Sequence, residues 1–416
     1  MQHAAELDDT SLLELTQRQT FRYFWDFAHP VSGLARDRSD PSPKSSPEIV
    51  AIGASGFGIM AIVVATEREW ISRADAVGRV LRMFRFLMCA SRYHGAFPHF
   101  LHGATGETIP FSQKDDGADI VETSFLIAGL LSARQYFNRA DPEESELRSL
   151  ADALWHDVEW SWFTRGGSRF LYWHWSPNCG WEMDLAIRGW NECLTTYVLA
   201  ASSPRHAIAP DVYHRGWTDS PTFRNGKEFY GIRLPLGPDY GGPLAFAQYS
   251  FLGLDPRGLQ DRYADYWEQN VSHTLINREH CIRNPNHCKG YGPDSWGLTA
   301  SDDHLGYHGH APDRDLGVIT PTAALSSIPY TPQHSLRALR HFYYAMGDRL
   351  WGEYGFIDAF SETHDWYAQT YIGIDQGPII AMIENYRSGL LWNLFMSCRE
   401  VQNGLRSLGF ASPQLA

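Results

Sequence analysis

Helical periodicity recurs along nearly the whole chain, with no fixed repeat, low-complexity tract or linker to divide it into parts. Helices are expected at about residues 10–28, 47–68, 72–91, 118–138, 143–164, 186–200, 205–217, 242–252, 259–277, 322–328, 332–347 and 376–397. Thr10 or Ser11 can cap the first, Ser72 with Asp75 resembles an acidic capping box for the third, and Gly377-Pro378 announces the last. Strand-like alternation is confined to a few places. One all-α domain over residues 1–416 is the economical reading, and a toroid of six helical hairpins accommodates about a dozen helices.

The segments between helices are long and aromatic: 93–111, 169–184, 281–315 and 353–375. Structureless loops of that length are uncommon in compact domains unless they are functional, so a loop-built rim is expected. With 15 Trp, 20 Tyr and 22 Phe, the chain has many flat faces that suit either a core or a pyranose ring. A formal charge of −13 disfavours nucleic acid, anionic membranes and polyanionic substrates, and favours a neutral one. The longest uncharged run, Ile49–Ala65, is too short and Gly-rich for a membrane span and reads as a buried helix. Met1 to Asp9 is polar and no targeting signal follows, so a cytoplasmic location is expected of the chain as it stands, or a periplasmic or secreted one if a leader was removed. Six scattered cysteines argue against a disulfide framework, and only Cys281 and Cys288 are close enough to invite a bridge.

The stretch KDDGADIVE (114–122) concentrates the chemistry. Its Asp-Asp-x-x-Asp pattern matches the magnesium-diphosphate motif of isoprenoid synthases, but such sites need a second acidic motif and several cations, and neither is present. On a helix starting near Asp115, residues Asp115, Asp119 and Glu122 would share one face, while Asp116 points elsewhere. Like charges so placed cost a few tenths of a kcal/mol per pair, which makes a purely structural role a poor explanation for the set. The alternative is that Asp115 and Asp116 complement the helix dipole while Asp119 and Glu122 find Arg partners. A second carboxylate, Glu192, enters a helix just after Trp190; an indole would desolvate it and keep it protonated as a general acid, although a first-turn Glu also suits a helix N-terminus. A third, Asp375, stands where the aromatic segment meets the last helix and could be an N-cap. Neither His304, His308 and His310 nor Cys281, His287 and Cys288 has standard zinc spacing. No phosphate-binding loop is present, and GASGFG (53–58) fits neither the dinucleotide fingerprint nor a nucleophile elbow.

Seven segments together, 33–41, 53–62, 95–101, 115–131, 189–204, 241–251 and 374–396, resemble in order the bacterial glucoamylase-like family that includes glycoside hydrolase family 144, the endo-β-1,2-glucanases. The resemblance implies an (α/α)6 toroid with long aromatic loops and a few short strands on one rim, hydrolysing β-1,2-glucan with inversion. Carried over by position, the acid falls on Glu192, the acidic cluster on Asp115, Asp119 and Glu122, and the late Asp on Asp375; Ala118 replaces an expected second Gly. An inverting pair stands about 6.5–9.5 Å apart. Glu192 and Asp375 could straddle a cleft, or Asp119 or Glu122 could take the base role. Trp173, Trp175, Trp181, Trp190 and Trp296 are candidate stacking platforms, with Arg38, His99, Arg188, Tyr371 and Asp115 expected to contact sugar. A monomer acting on a neutral glucan or oligosaccharide without metal or cofactor is expected. The rivals are a lyase or phosphorylase on the same toroid and a non-catalytic glycan-binding protein.

Overall fold

The computed structural model describes residues 6–39 and 46–415, so the opening polar segment and the end of the 33–41 motif fall partly outside the described residues. The fold is the expected all-α toroid. Its helices are α1 Asp9–Trp25, α2 Ile52–Glu67, α3 Arg73–Cys89, α4 Ile120–Tyr136, α5 Pro142–Asp157, α6 Leu194–Ser202, α7 Tyr266–Arg283, α8 Pro321–Leu325, α9 Pro332–Arg340, α10 Gly347–Leu350, α11 Gly373–Arg387, α12 Leu390–Met396 and α13 Arg399–Ser407. Strands are short, the longest being the hairpin Ala300–Asp303 with Gly306–Gly309.

Two kinds of helix build the ring. In α2 and α4 almost every residue is buried, whereas α1, α3 and α5 bury one stripe and expose the other. The first kind lies inside: α2 packs on both α4 and α11, α4 on α6, and α11 on α8. The second covers it, with α1 against α11 and α3 against α5. The glycines of the Ile49–Ala65 run serve this packing. A Cβ on Gly56 would stand 2.2 Å from the Phe125 carbonyl, and one on Gly129 2.2 Å from the Gly56 carbonyl, so α2 and α4 touch backbone to backbone. Among the described residues no helix is long and apolar enough to cross a membrane.

The departures from the expected helices have local causes. Asp8, not Thr10 or Ser11, caps α1, while the Ser72–Asp75 cap of α3 forms as read. Residues 259–277 do not form one helix: Asp265 accepts from the Glu268 N–H and starts α7 later, and Asn284 in the left-handed region ends it. The 376–397 helix begins earlier, at Gly373, with Pro378 inside it, and Gly389 at φ +71° breaks it into α11 and α12. Segments 205–217 and 242–252 yield only a π-helical turn at Val212–Trp217 and 3-10 turns at Leu244–Ala247 and Tyr249–Leu252. The α13 helix was not expected. All six cysteines are free, Cys281 and Cys288 included.

Candidate active site

A cavity of about 420 Å³ opens where the loops meet the inner helices, lined by Arg38, His99, Glu122, Trp173, Glu192 and Tyr249 together with Phe111, Phe125, Phe246 and Tyr307. Its aromatic and aliphatic surface surrounds a few polar groups, the usual make-up of a small-molecule site. Five residues expected from the sequence are thus brought together: Arg38, His99, Glu122, Trp173 and Glu192.

The acidic cluster converges by a different route from the one expected. The helix starts at Ile120, so Asp115 precedes it in a loop and the set does not share a helix face. Asp119 is the N-cap, its Oδ1 accepting from the N–H groups of Val121 at 3.0 Å and Glu122 at 2.9 Å. Its Oδ2 lies 3.3 Å from His99 Nδ1 and 3.7 Å from His174 Nε2. Asp115 comes in from the loop, 3.4 Å from His174 Nε2. The partners are imidazoles and backbone, not arginines; Asp116 does point elsewhere, accepting from Asn178. Glu122 Oε2 accepts from the Gly53 N–H at 2.7 Å, and a Cβ on Gly53 would stand 2.6 Å from that oxygen, so a side chain there would displace the carboxylate from this N–H.

Burial and neighbouring charge divide these groups electrostatically. Burial pushes Asp115 and Glu122 up to about 7, with the Asp119 charge adding to both and His99 opposing. Burial also disfavours the His99 cation, yet the Glu122 and Asp119 carboxylates raise it to about 9. Asp119 stays below the usual carboxylate range: burial works against its charge, but His99, His174 and the Glu122 N–H outweigh it. His99, Asp115 and Asp119 also place one donor atom each within 4.8 Å of one another, a composition that could hold a cation. A protonated His99 already occupies that charge position.

Glu192 stands in the turn before α6, not within its first turn, and burial raises its carboxyl to about 6. Trp190 does not line the cavity. That indole is 2% exposed and packs in the core, stacked on Trp217 at 5.8 Å and tilted against Tyr266. The apolar surroundings of the acid are instead the cavity's own, with Trp173, Phe125 and Tyr249 on its walls.

Asp375 is the third residue of α11; Ile372 holds the N-cap position, so Asp375 is not a cap. It is 1% exposed and its Oδ1 accepts from the Tyr249 hydroxyl at 3.0 Å. Asp375 itself does not line the cavity, but Tyr249, Ile372 and Ile374 do. Burial raises it to about 7. Beside it Arg38 donates to Asp302 at 3.0 and 3.2 Å and to Asp37 at 3.2 Å.

Several expected sugar contacts lie elsewhere. Trp296 is fully buried, a core residue. Trp175 and Trp181 join Trp162 in an aromatic cluster outside the cavity, Trp175 also edging His94 at 5.2 Å. Arg188 covers the Phe170 ring, and Tyr371 packs against Tyr354 at 5.3 Å. His308 pairs with Asp303 within the 300–309 hairpin, His310 just after it lies 3.4 Å from the same carboxylate, and His304 stacks on His364. Sequence reasoning missed Tyr249, Asp302 and His174. Asp302 sits in the histidine-rich DDHLGYHGH segment, whose histidines are the stronger local signal; His174 is set opposite Asp119 only by strand pairing.

A family model, Glycoamylase, described as "Putative glucoamylase", matches residues 184–399, just over half of the chain. An endo-β-1,2-glucanase of Chitinophaga pinensis, solved with sophorotriose and glucose, is 54% identical, with 99% of this chain and 100% of that one covered and a TM-score of 0.96. The chain belongs to this glucoamylase-like family. A β-1,2-glucanase structure from Parabacteroides distasonis is 45% identical over 98% of this chain and 61% of that one, with a TM-score of 0.94. An exo β-1,2-glucooligosaccharide sophorohydrolase acting at the non-reducing end, also of Parabacteroides distasonis, is 45% identical over 97% of this chain. This chain spans 58% of that protein's length.

Proposed function

We propose that the chain is a glycoside hydrolase that cleaves β-1,2-glucan or a closely related β-glucan oligosaccharide with inversion, as one catalytic domain over residues 1–416 and without a metal. The observation that carries this reading is Glu192, raised by burial to about 6 in an aromatic cavity that a second buried carboxyl, Glu122, also lines. The names of three relatives, each acting on β-1,2-linked glucans, favour that linkage.

In this mechanism a sugar ring lies on Trp173, with Arg38 and His99 donating to its hydroxyls. Protonated Glu192 gives its proton to the glycosidic oxygen as the bond to the anomeric carbon breaks. Water attacks that carbon from the other face. Its proton passes to the Tyr249 oxygen while the Tyr249 proton moves to Asp375, which ends protonated. A carboxylate near 7 is well matched to this work at neutral pH. A second reading makes Glu122 the base, because it lines the cavity directly and also stands near 7. Asp119 is assigned to holding His99 and starting α4.

The test is reducing-end release from linear β-1,2-glucan beside β-1,3- and β-1,4-glucans. Cleavage of the first in preference to the others is expected; a glycan-binding protein would release nothing. A lyase would generate an unsaturated product, and a phosphorylase would need added phosphate.

A further inference from the structure

One buried carboxylate next to Asp375 has no role in the mechanism so far. Asp358 lies in the loop between the short strands Gly355–Phe356 and Phe360–Ser361, fixed by its N–H to the Thr370 carbonyl at 3.0 Å. It is 2% exposed. Its Oδ2 accepts from the Asp302 N–H at 2.8 Å, and Asp302 is in turn held by Arg38 and by the Thr370 hydroxyl at 2.7 Å. On the other side, Asp375 Oδ1 is taken by Tyr249. That leaves Asp358 Oδ1 and Asp375 Oδ2, both buried, with no donor from any other group. The two side chains face each other at hydrogen-bonding range. Ionised carboxylates are acceptors only, so this contact requires a proton between them.

We propose that Asp358 is a positioning residue that shares one proton with Asp375, keeping Asp375 a carboxylate between two donors and turning the Tyr249 oxygen's lone pairs toward the cavity. The proton resides on Asp358 and is donated to Asp375 Oδ2, while the Tyr249 O–H is donated to Oδ1. With its own proton committed to Asp375, Tyr249 can only accept from whatever stands in the cavity, which is the orientation needed to receive a proton from water.

The charges facing this pair favour the one-proton state. Asp302, Asp37 and the two dyad carboxylates are set against the Arg38 cation, and Tyr249 and Tyr307 are neutral. Burial, followed by the Asp375 and Asp302 charges, pushes Asp358 far above the ordinary range. The two groups therefore titrate as a pair: the shared proton is held through neutral pH, and a second proton is added on the acid side. That second proton is the one the reaction delivers.

This inference rests on the hydrolase reading for its role, but the shared proton can be measured without turnover. Infrared spectra of the full chain at pH 8 supply the first arm, since Glu192, Glu122 and Asp115, near 6, 7 and 7, are then mostly ionised. The wild type should retain a protonated-carboxyl C=O band that Asp358→Asn lacks. The second arm is the pH profile of kcat/KM. Because Asp375, near 7, titrates above Glu192, near 6, removing the donor in Asp358→Leu should raise Asp375 by about one unit, lowering kcat/KM about tenfold on the acid side and the plateau and moving the alkaline limb upward by about one unit. Asp358→Asn, whose amide still donates, should recover most of it. A structural role alone would shift the melting temperature and leave the limb in place. An unchanged band in Asp358→Asn overturns the shared proton even if Asp358→Leu fails to fold; an unmoved limb in a folded Asp358→Leu overturns the positioning role. A chain that hydrolyses no glucan but loses the band refutes the hydrolase reading and keeps the dyad.

Discussion

Two walls of the cavity carry buried carboxylates, and they are made tolerable by opposite means. On the α4 wall, Asp115, Asp119 and Glu122 are set against imidazoles and backbone N–H groups, and one of them begins the helix. On the α11 wall, Asp302 is paired with Arg38 while Asp375 and Asp358 leave a contact that only a proton can fill. The first wall is tied to the fold through its acids. The second is tied to the proton. Three carboxyl groups on each side thus produce a stability element on one and a proton-handling element on the other, and substitutions should separate the two.

The largest effect is expected at Glu192, which faces both walls. Glu192→Gln should lose about 10²–10⁴-fold in turnover while remaining folded and able to bind, and an activated substrate with a good leaving group should recover part of the rate. Near-normal turnover on the unactivated glucan would move the acid to a wall, with Glu122 first in line. Next comes the comparison of tryptophans: Trp296→Ala should cost about 3–5 kcal/mol of stability as a core deletion, read by denaturant unfolding. Trp173→Ala should instead raise KM about tenfold, about 1.4 kcal/mol, with a smaller stability loss. An unchanged KM would remove Trp173 from sugar binding.

The walls themselves are contrasted by Asp375→Asn and Asp119→Asn. The first should reduce kcat by at least about 10²-fold at nearly unchanged melting temperature. The second keeps an Asn cap but removes the charge that faces His99 and His174, so a stability loss of about 1.5–3 kcal/mol, that of a hydrogen bond to a charged group, is expected. Asp119→Asn losing activity with full stability would collapse the distinction.

A smaller effect concerns pH. Asp115 is raised to about 7 in the fold, so its contribution to stability is present below the unfolded value of about 4 and is lost as pH rises through about 7. Melting temperature followed from pH 4 to 8 should therefore fall less in Asp115→Asn than in the wild type; parallel curves would contradict the burial argument. The smallest effect expected is none: chelation with EDTA should leave activity unchanged. Activity lost to EDTA and restored by a divalent cation would turn the His99, Asp115 and Asp119 grouping into a metal site.

The helical ring and half of the cavity were legible because their signals are local. The uncharged Ile49–Ala65 run, the Asp119–Glu122 pair at a helix start and the carboxyl of Glu192 can each be read within a single short segment. What failed was identity of environment. Trp173, Trp190 and Trp296 look alike in sequence, yet one walls the cavity and two fill the core, because exposure of a large aromatic is decided by distant elements. Glu192 does have a desolvated environment, but Trp190 is a core residue that does not line the cavity where the acid stands. Asp358 and Tyr249 had no signal, since each gains meaning only when the 357–359 loop and the 249–252 turn meet α11.

The central claim is tested most directly by proton NMR of the anomeric region during early hydrolysis of linear β-1,2-glucan, before mutarotation. The account predicts that new reducing ends appear first as the α-anomer, with the signal abolished in Glu192→Gln. First appearance of the β-anomer, or α-anomer formation at an undiminished rate in Glu192→Gln, would contradict it.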